Sequence, residues 1–482
     1  HIPLDLARSN MPPVTGWYER AYDSGLVRAG LVYAQLILGA GRGDRPAPPQ
    51  RAKAMRALED AASAGFAEAQ WLLAREHGAH VADRVDPLHR PAMAAARTAA
   101  PAAGPAGQRW LQQAAESGVG AAQFALLEQA WTAQDWHAYL ARALPLARAL
   151  VGSDAAQDRA AARLAPDEVA LLSRCARLVE AKTVVHDVSQ HELQRFWELA
   201  ATEQDRHAQL ALGLWCARMQ VDGKRIAGGS GAANFKKAVR WLSQAGEQGL
   251  AEAWYALSRI YIKPEFSQRN VVEAQKYLER AAEMGYRDAQ LECGNAAWRA
   301  RRENENNDVR ALFWLQKAAA QGCGKAAAAL RKLAPREPDA WRELRGALGG
   351  QDTSPQLAAV LSTHPLLAAR LELAMAFGLS RAEALLLNIR SADRGHCLVI
   401  DIRASYGRSR RRLLLVDTVQ ERQLLDRVGA VFDDVDCGPG GPEGNYRQRL
   451  YRLRSLLPDG AGDSAGDGDG KLPPGADLSL AA

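Results

Sequence analysis

The sequence predicts a mainly α fold: an α-solenoid of stacked helical pairs followed by a small α+β domain. Three observations predict it. A nine-residue phrase recurs as Trp241-Leu-Ser-Gln-Ala-Gly-Glu-Gln-Gly249, Tyr277-Leu-Glu-Arg-Ala-Ala-Glu-Met-Gly285 and Trp314-Leu-Gln-Lys-Ala-Ala-Ala-Gln-Gly322, starting 36 and 37 residues apart. A fixed period of this size marks units that bury their apolar faces only against their neighbours. The apolar share, 48% of 482 residues, is largely alanine, which suits close-packed helices. After Pro335-Arg-Glu-Pro338 the phrase stops and the apolar period changes.

Each phrase reads as the second helix of a helical hairpin and the turn that ends it. The small pair (Ala245-Gly246, Ala281-Ala282, Ala318-Ala319) follows the leucine at i+3 and i+4, on the same side of the helix, and admits a neighbouring helix. Gly249, Gly285 and Gly322 sit where a helix end needs the left-handed conformation. A further alanine (Ala253, Ala289, Ala326) then opens the next first helix.

Four more phrases lie upstream, giving seven in all. They start at Trp17, Ala57, Trp110 and Phe196, the last with Asp205 read in place of the glycine. Residues 1–130 therefore read as repeats broken by insertions at 39–49 and about 79–106, the latter proline-rich and read as a mobile loop. Residues 131–190 read as divergent helical pairs, with Pro166 in a first helical turn, and 191–335 as repeats again. In 336–457 a helix pair spans Leu366 to Leu387, split at Gly378-Leu-Ser380, with Ser380 and Glu383 forming a capping box. A β-hairpin follows, Cys397–Ile402 and Leu413–Asp417 about an arginine-rich turn, then a helix from Val419 to Phe432. Residues 458–482 read as a flexible tail.

This grammar resembles the Sel1-like repeat family, a relative of the tetratricopeptide repeat, over about residues 10–335. The resemblance implies a right-handed superhelix and an adaptor that binds proteins or peptides on its concave face. One departure is plain: the Gly-x-Gly often found between the helices is replaced after Tyr255 by Tyr261-Ile-Lys-Pro-Glu-Phe266.

Composition narrows the function classes. A net charge of +6 is a mild excess, and its densest gathering is Arg403, Arg408, Arg410, Arg411 and Arg412. Six single cysteines give no CxxC, so neither a zinc site nor a disulfide framework is expected. They favour a reducing compartment, hence the cytoplasm. A start at His1 rather than Met leaves the periplasm open, because a leader is then absent from view. No run of about 18 apolar residues reads as a membrane span.

No nucleophile elbow, zincin or phosphate-loop motif occurs, and no cofactor is expected. His186, Asp187 and His191 are not spaced to share a helical face, and read as a solvated loop. Residues 375–430 are also similar to the first half of a tyrosine-recombinase catalytic domain, with Ser380 or Arg381 at the position of its first arginine. The turn has no lysine, so that resemblance implies a catalytically inactive domain whose arginines contact DNA. The expected function is a non-catalytic scaffold or adaptor for a protein or peptide partner. Candidate contacts are Gln209, Glu252, Arg259, Gln290 and Glu292 on the first helices. The alternative is nucleic-acid association through the Arg403–Arg412 hairpin.

Overall fold

A computed structural model describes residues 14–39, 47–82, 105–152, 163–182, 184–226, 232–336, 341, 362–438 and 440–456. The chain divides into two compact units, His1–Gly213 and Leu214–Ala482. The tail at 458–482, residues 40–46 of the 39–49 insertion and the segment 227–231 lie outside the described residues.

The first unit is built from α1 (Val14–Asp23), α2 (Val27–Gly39), α3 (Pro48–Ser63), α4 (Ala67–Ala82), α5 (Pro105–Glu116), α6 (Gly120–Thr132), α7 (Trp136–Gly152), α8 (Pro166–Glu180), α9 (Gln190–Thr202) and most of α10 (Arg206–Ala217). Helices α1 to α9 pack in chain order. The second unit continues with α11 (Phe235–Glu247), α12 (Ala251–Tyr261), α13 (Val271–Glu283), α14 (Arg287–Arg299), α15 (Asn307–Ala320) and α16 (Gly324–Leu333), again packed consecutively. Of the loop expected at 79–106, residues 79–82 belong to α4 and 105–106 to α5, and residues 83–104 lie outside the described residues.

Every phrase ends in the same turn. The N–H of the ninth residue donates to the carbonyl of the sixth, and the N–H of the tenth to that of the fifth. In the tandem block these are Gly249 to Gly246 (3.0 Å) with Leu250 to Ala245 (3.2 Å), and Gly285 to Ala282 (3.0 Å) with Tyr286 to Ala281 (3.0 Å). This is the Schellman arrangement, which satisfies the carbonyls a helix end leaves open. It needs a left-handed ninth residue, and the phrase glycines have φ from +80° to +95°. In the phrase from Phe196 the residue at that position is Gln204, φ 67°, and not Asp205. Asp205 instead caps the next helix, accepting from Ala208 N at 2.7 Å. The same turn closes α6, with Gln134 at φ 57° and Asp135 as the cap, so the grammar extends into the 131–190 region without its glycine.

The sixth position and the one eight residues later are matched in volume. At Ala62/Gln70, Ala115/Gln123, Ala201/Gln209 and Ala282/Gln290 the glutamine amide donates to the alanine carbonyl at 3.1 to 3.3 Å. At Gly246/Trp254 the indole N–H makes the same bond at 3.0 Å, and a Cβ on Gly246 would meet the indole at 2.5 Å. At Tyr22/Gly30 the bulk is reversed, and a Cβ on Gly30 would strike the Tyr22 ring at 2.6 Å. In six of the seven copies one gap is filled once, from either side; the seventh pairs Ala319 with Ala327. The lost Gly-x-Gly is explained similarly: Phe266, buried, packs edge-on to Phe235 and Tyr261 at 5.7 and 5.1 Å.

The last part of the second unit holds α17 (Pro365–Phe377), α18 (Arg381–Leu386), α19 (Ile389–Ala392), strands β1 (Cys397–Ile400) and β2 (Arg412–Leu415), α20 (Val419–Val431) and α21 (Tyr446–Leu456). The Ser380–Glu383 capping box forms, with Ser380 N donating to Glu383 Oε2 at 2.8 Å. β1 and β2 are antiparallel, Cys397 opposite Leu415 and Ile400 opposite Arg412. Alternation sends the two faces of the hairpin to different places. Cys397, Val399 and Leu413 pack with Leu312, Leu315, Ala326 and Leu330 of the last repeat, while Leu398, Ile400 and Leu414 join the core of α17–α21. The hairpin thus covers the end of the repeat stack, which would otherwise expose an apolar face. Helix α21 has no counterpart among the sequence expectations, because its arginine-rich surface hides an apolar stripe of few residues.

Candidate interaction surfaces

The first helices carry most of the sequence-predicted contacts, and the structure separates them into two groups. Gln209 and Gln290 are fully buried. Their amides close the preceding helix as described above, and Gln290 also accepts from Gln321 Nε2 at 2.9 Å. A buried amide whose bonds are satisfied within the fold offers nothing to a partner, so these two residues are removed from the candidate surface.

Glu252, Arg259 and Glu292 remain partly exposed, on α12 and α14. Arg259 and Glu292 are brought together: Arg259 forms an ion pair with Glu292, and the Tyr255 hydroxyl donates to Glu292 Oε1 at 2.7 Å. The Arg259 guanidinium lies 4.6 Å above the Tyr255 ring, and Tyr286 packs on Tyr255 at 4.9 Å. Burial pushes the Tyr255 and Tyr286 hydroxyls up from their ordinary value, so both remain protonated donors at neutral pH. Carboxylates including Glu252 and Asp222 add to the effect at Tyr286. The result is a fixed polar platform across two adjacent repeats, with Glu252 at its edge. Tyr255 and Tyr286 were not among the sequence candidates. Their signal was available, since they occupy positions filled by Leu291 and Cys323 in the next copy.

The arginine-rich hairpin does not form a single cationic patch. Arg411 is turned onto the last repeat, donating to Asp308 Oδ2 at 2.8 Å and to the Glu305 carbonyl at 2.9 Å. Arg412 donates to Glu383 at 2.7 and 2.5 Å and to the Gly378 carbonyl at 3.1 Å. Arg403 pairs with Asp401 at 2.7 Å, and its guanidinium, more than desolvation opposes, holds that carboxyl down at about 2. Arg408 and Arg410 are exposed and make no ion pair among the described residues. Three of the five cations are therefore neutralised by the fold's own carboxylates.

Elsewhere the chemistry is structural. His186 Nε2 bonds the Val179 carbonyl at 3.1 Å and Asp187 pairs with Arg148 at 2.9 Å, so the two point to separate duties. Among the described residues no group of three or more potential ligands could hold a metal. Five cysteines are buried and Cys437 is half-buried; burial raises the thiols of Cys175, Cys293 and Cys397 to about 12, which keeps them protonated. No helix among the described residues is long and apolar enough to cross a membrane.

Comparison with known proteins gives the repeats a family. The family model for the Sel1 repeat matches residues 105–119, 206–250, 251–286 and 304–323. All four matches end at the tenth phrase residue, and two of them, 206–250 and 251–286, begin at the start of a first helix. Among solved structures, a Sel1 repeat protein from Oxalobacter formigenes is similar over 69% of this chain and 93% of its own, at 19% identity and a TM-score of 0.41. A protective antigen present in uropathogenic Escherichia coli strains, displaying an SLR fold, is similar over 92% of this chain and 85% of its own, at 17% identity and a TM-score of 0.39. A Sel1 repeat protein from Klebsiella pneumoniae subsp. pneumoniae covers 57% of this chain and 95% of its own, at 18% identity and a TM-score of 0.16. At such scores nothing below rests on these three likenesses. No curated protein matches the chain. The similarity of residues 375–430 to a recombinase domain finds no support in these comparisons.

Proposed function

From the chain's membership of the Sel1 repeat family, we propose that it is a non-catalytic scaffold that binds a protein or peptide partner on the exposed face of its first helices. Sel1 repeats typically mediate protein interactions. The finer reading, a peptide held at α12 and α14, is supported by one observation above all: the Tyr255–Arg259–Glu292 platform spans two repeats and is held together by its own contacts without a partner. Preorganised polar groups lose little entropy on binding. Glu292 keeps about a third of its side chain exposed, and so retains acceptor capacity for a cationic or amide group of a partner.

The test is a selection of displayed peptides against the full chain, followed by Glu292→Lys. Selected peptides should lose binding about tenfold or more, the scale of a central contact, while Arg410→Ala leaves them unaffected. Peptides indifferent to Glu292→Lys would place the partner elsewhere and overturn the reading.

A further inference from the structure

The half-buried arginines Arg411, Arg412 and Arg422 each have a carboxylate to pair with, Asp308, Glu383 and Asp393. One deeper group does not balance. Arg370, Glu443 and Arg449 are 1%, 4% and 5% exposed, and both guanidiniums share the one carboxylate. Arg370 holds it with two bonds, at 2.6 and 2.8 Å, while Arg449 Nη2 stands 3.6 Å from Glu443 Oε2. Two positive charges therefore meet one negative charge below the surface. The carbonyls of Leu385, Cys437 and Gly444 accept from Arg449, but they carry no net charge. Burial depresses the Arg449 pKa, with Glu443 opposing and Arg370 and Arg452 adding to the effect. A buried charge without its counter-charge is costly, and removing it from this fold would need an anion.

The excess charge borders an opening. A cleft of about 230 Å³ is lined by Glu443, Arg449 and Arg452 and by the chain from Thr363 to Leu367. Arg452 is half-buried, and among the described residues its one hydrogen bond runs from Nη1 to the Glu443 carbonyl at 2.7 Å. A guanidinium carries more donors than that bond uses. The other lining segment is the start of α17. His364 occupies the N-cap without a side-chain bond and Pro365 has no N–H, and among the described residues nothing closes the N–H groups of Leu366 and Leu367. An open helix start favours anions through its dipole and its free donors. It adds to the buried charge and would not make a site without it.

We propose that this cleft binds the oxyanion head of a small molecule, a phosphate or a carboxylate, carried on a compact apolar body. The head supplies the negative charge that Glu443 alone does not, and takes the spare donors of Arg452 and of the α17 start. Pro365, Leu366 and Leu367 offer apolar contact to the body. The volume lies below the about 300–1,000 Å³ of drug-sized sites, which keeps that body small. The site is distinct from the α12–α14 platform and does not depend on the scaffold reading.

Calorimetric titration of the full chain with inorganic phosphate, phenyl phosphate and benzoate, in a buffer free of other oxyanions, tests the site. One saturable site is expected, with phenyl phosphate or benzoate bound more tightly than inorganic phosphate, because only these two reach the apolar lining. Whichever of them binds more tightly tells phosphate from carboxylate. Arg452→Gln should weaken that ligand at least about tenfold, the worth of one hydrogen bond to a charged group. Arg447→Gln, on an exposed part of the same helix, should leave it unchanged. Thr363→Glu, which brings a carboxylate to the cleft, should weaken it too, and the neutral Thr363→Gln should not. Four results overturn the proposal. The first is no saturable binding of any of the three compounds. The second is inorganic phosphate bound as tightly as the other two, which removes the apolar body. Equal weakening by Arg452→Gln and Arg447→Gln would mark diffuse surface charge. Binding untouched by both Arg452→Gln and Thr363→Glu would place the anion elsewhere.

Discussion

The tandem repeats of α11–α16 and the C-terminal region that follows them both have to satisfy buried polar groups, and they do it by opposite means. In the repeats the groups are mainly backbone carbonyls at helix ends, closed by turn N–H groups and, in two of the three copies, by a neutral side chain. In the C-terminal region they are charges. Arg370, fully buried, holds Glu443 through two bonds at 2.6 and 2.8 Å, donates to the Ala384 and Leu387 carbonyls, and lies 5.0 Å from the Phe432 ring centre. Arg449 donates to the carbonyls of Leu385, Cys437 and Gly444 at 2.7 to 2.9 Å, and its desolvation lowers its pKa from the ordinary value. Neutral caps are local, so each repeat can vary without the next one knowing. A buried ion pair joining α17 to the segment before α21 ties residues 73 positions apart, and fails as a unit.

The sharpest way to break this contrast is Glu443→Gln. It leaves Arg370 buried without its carboxylate, and removing one partner of a buried pair costs about 3–5 kcal/mol. Hydrogen exchange should show α17, α18 and α21 opening together, while α11–α14 keep their protection. The double change Arg370→Met with Glu443→Leu should recover much of the loss, because apolar residues of similar volume remove both charges at once. Uniform loss of protection across the repeats would mean that the two regions do not differ as described.

Inside the repeats the effect should be smaller and reciprocal. Gly246→Ala drives a methyl into the Trp254 indole, and overpacking of this kind costs about 1–3 kcal/mol. Adding Trp254→Gln restores the Ala/Gln pairing that four other copies use. Chemical denaturation of the full cycle should therefore give a coupling of about 1–2 kcal/mol in favour of the double variant. Simple additivity would show that the two positions do not share one gap.

What the sequence revealed follows the same division. Hairpin order, turn glycines and the capping box at Ser380 are local, so spacing and residue type were enough to place them. The candidate contacts were harder. Gln209, Arg259, Gln290 and Glu292 all sit on first helices, but whether a polar side chain faces a carbonyl eight residues back or the solvent depends on where the preceding helix ends. The arginine cluster shows the same limit at longer range. Arg411 is neutralised by Asp308, 103 residues away, and no local pattern announces that pairing. Arg370 and Glu443 went unremarked for this reason too.

The smallest predicted effect concerns the phrase whose glycine is missing. Gln204 adopts φ 67°, which costs a residue with a side chain about 1–2 kcal/mol relative to glycine. Against this, Gln204→Gly adds about 0.5–1 kcal/mol of backbone freedom to the unfolded chain and removes the acceptor that Gln209 Nε2 reaches at 3.3 Å. Gln209 keeps its bond to the Ala201 carbonyl, so that amide stays satisfied. The balance favours the variant by about 0.5 kcal/mol, to be read as slower amide exchange at the α9–α10 turn. Faster exchange would mean that the side-chain contact outweighs the strained backbone, and that this copy dispenses with glycine because its glutamines close the turn together.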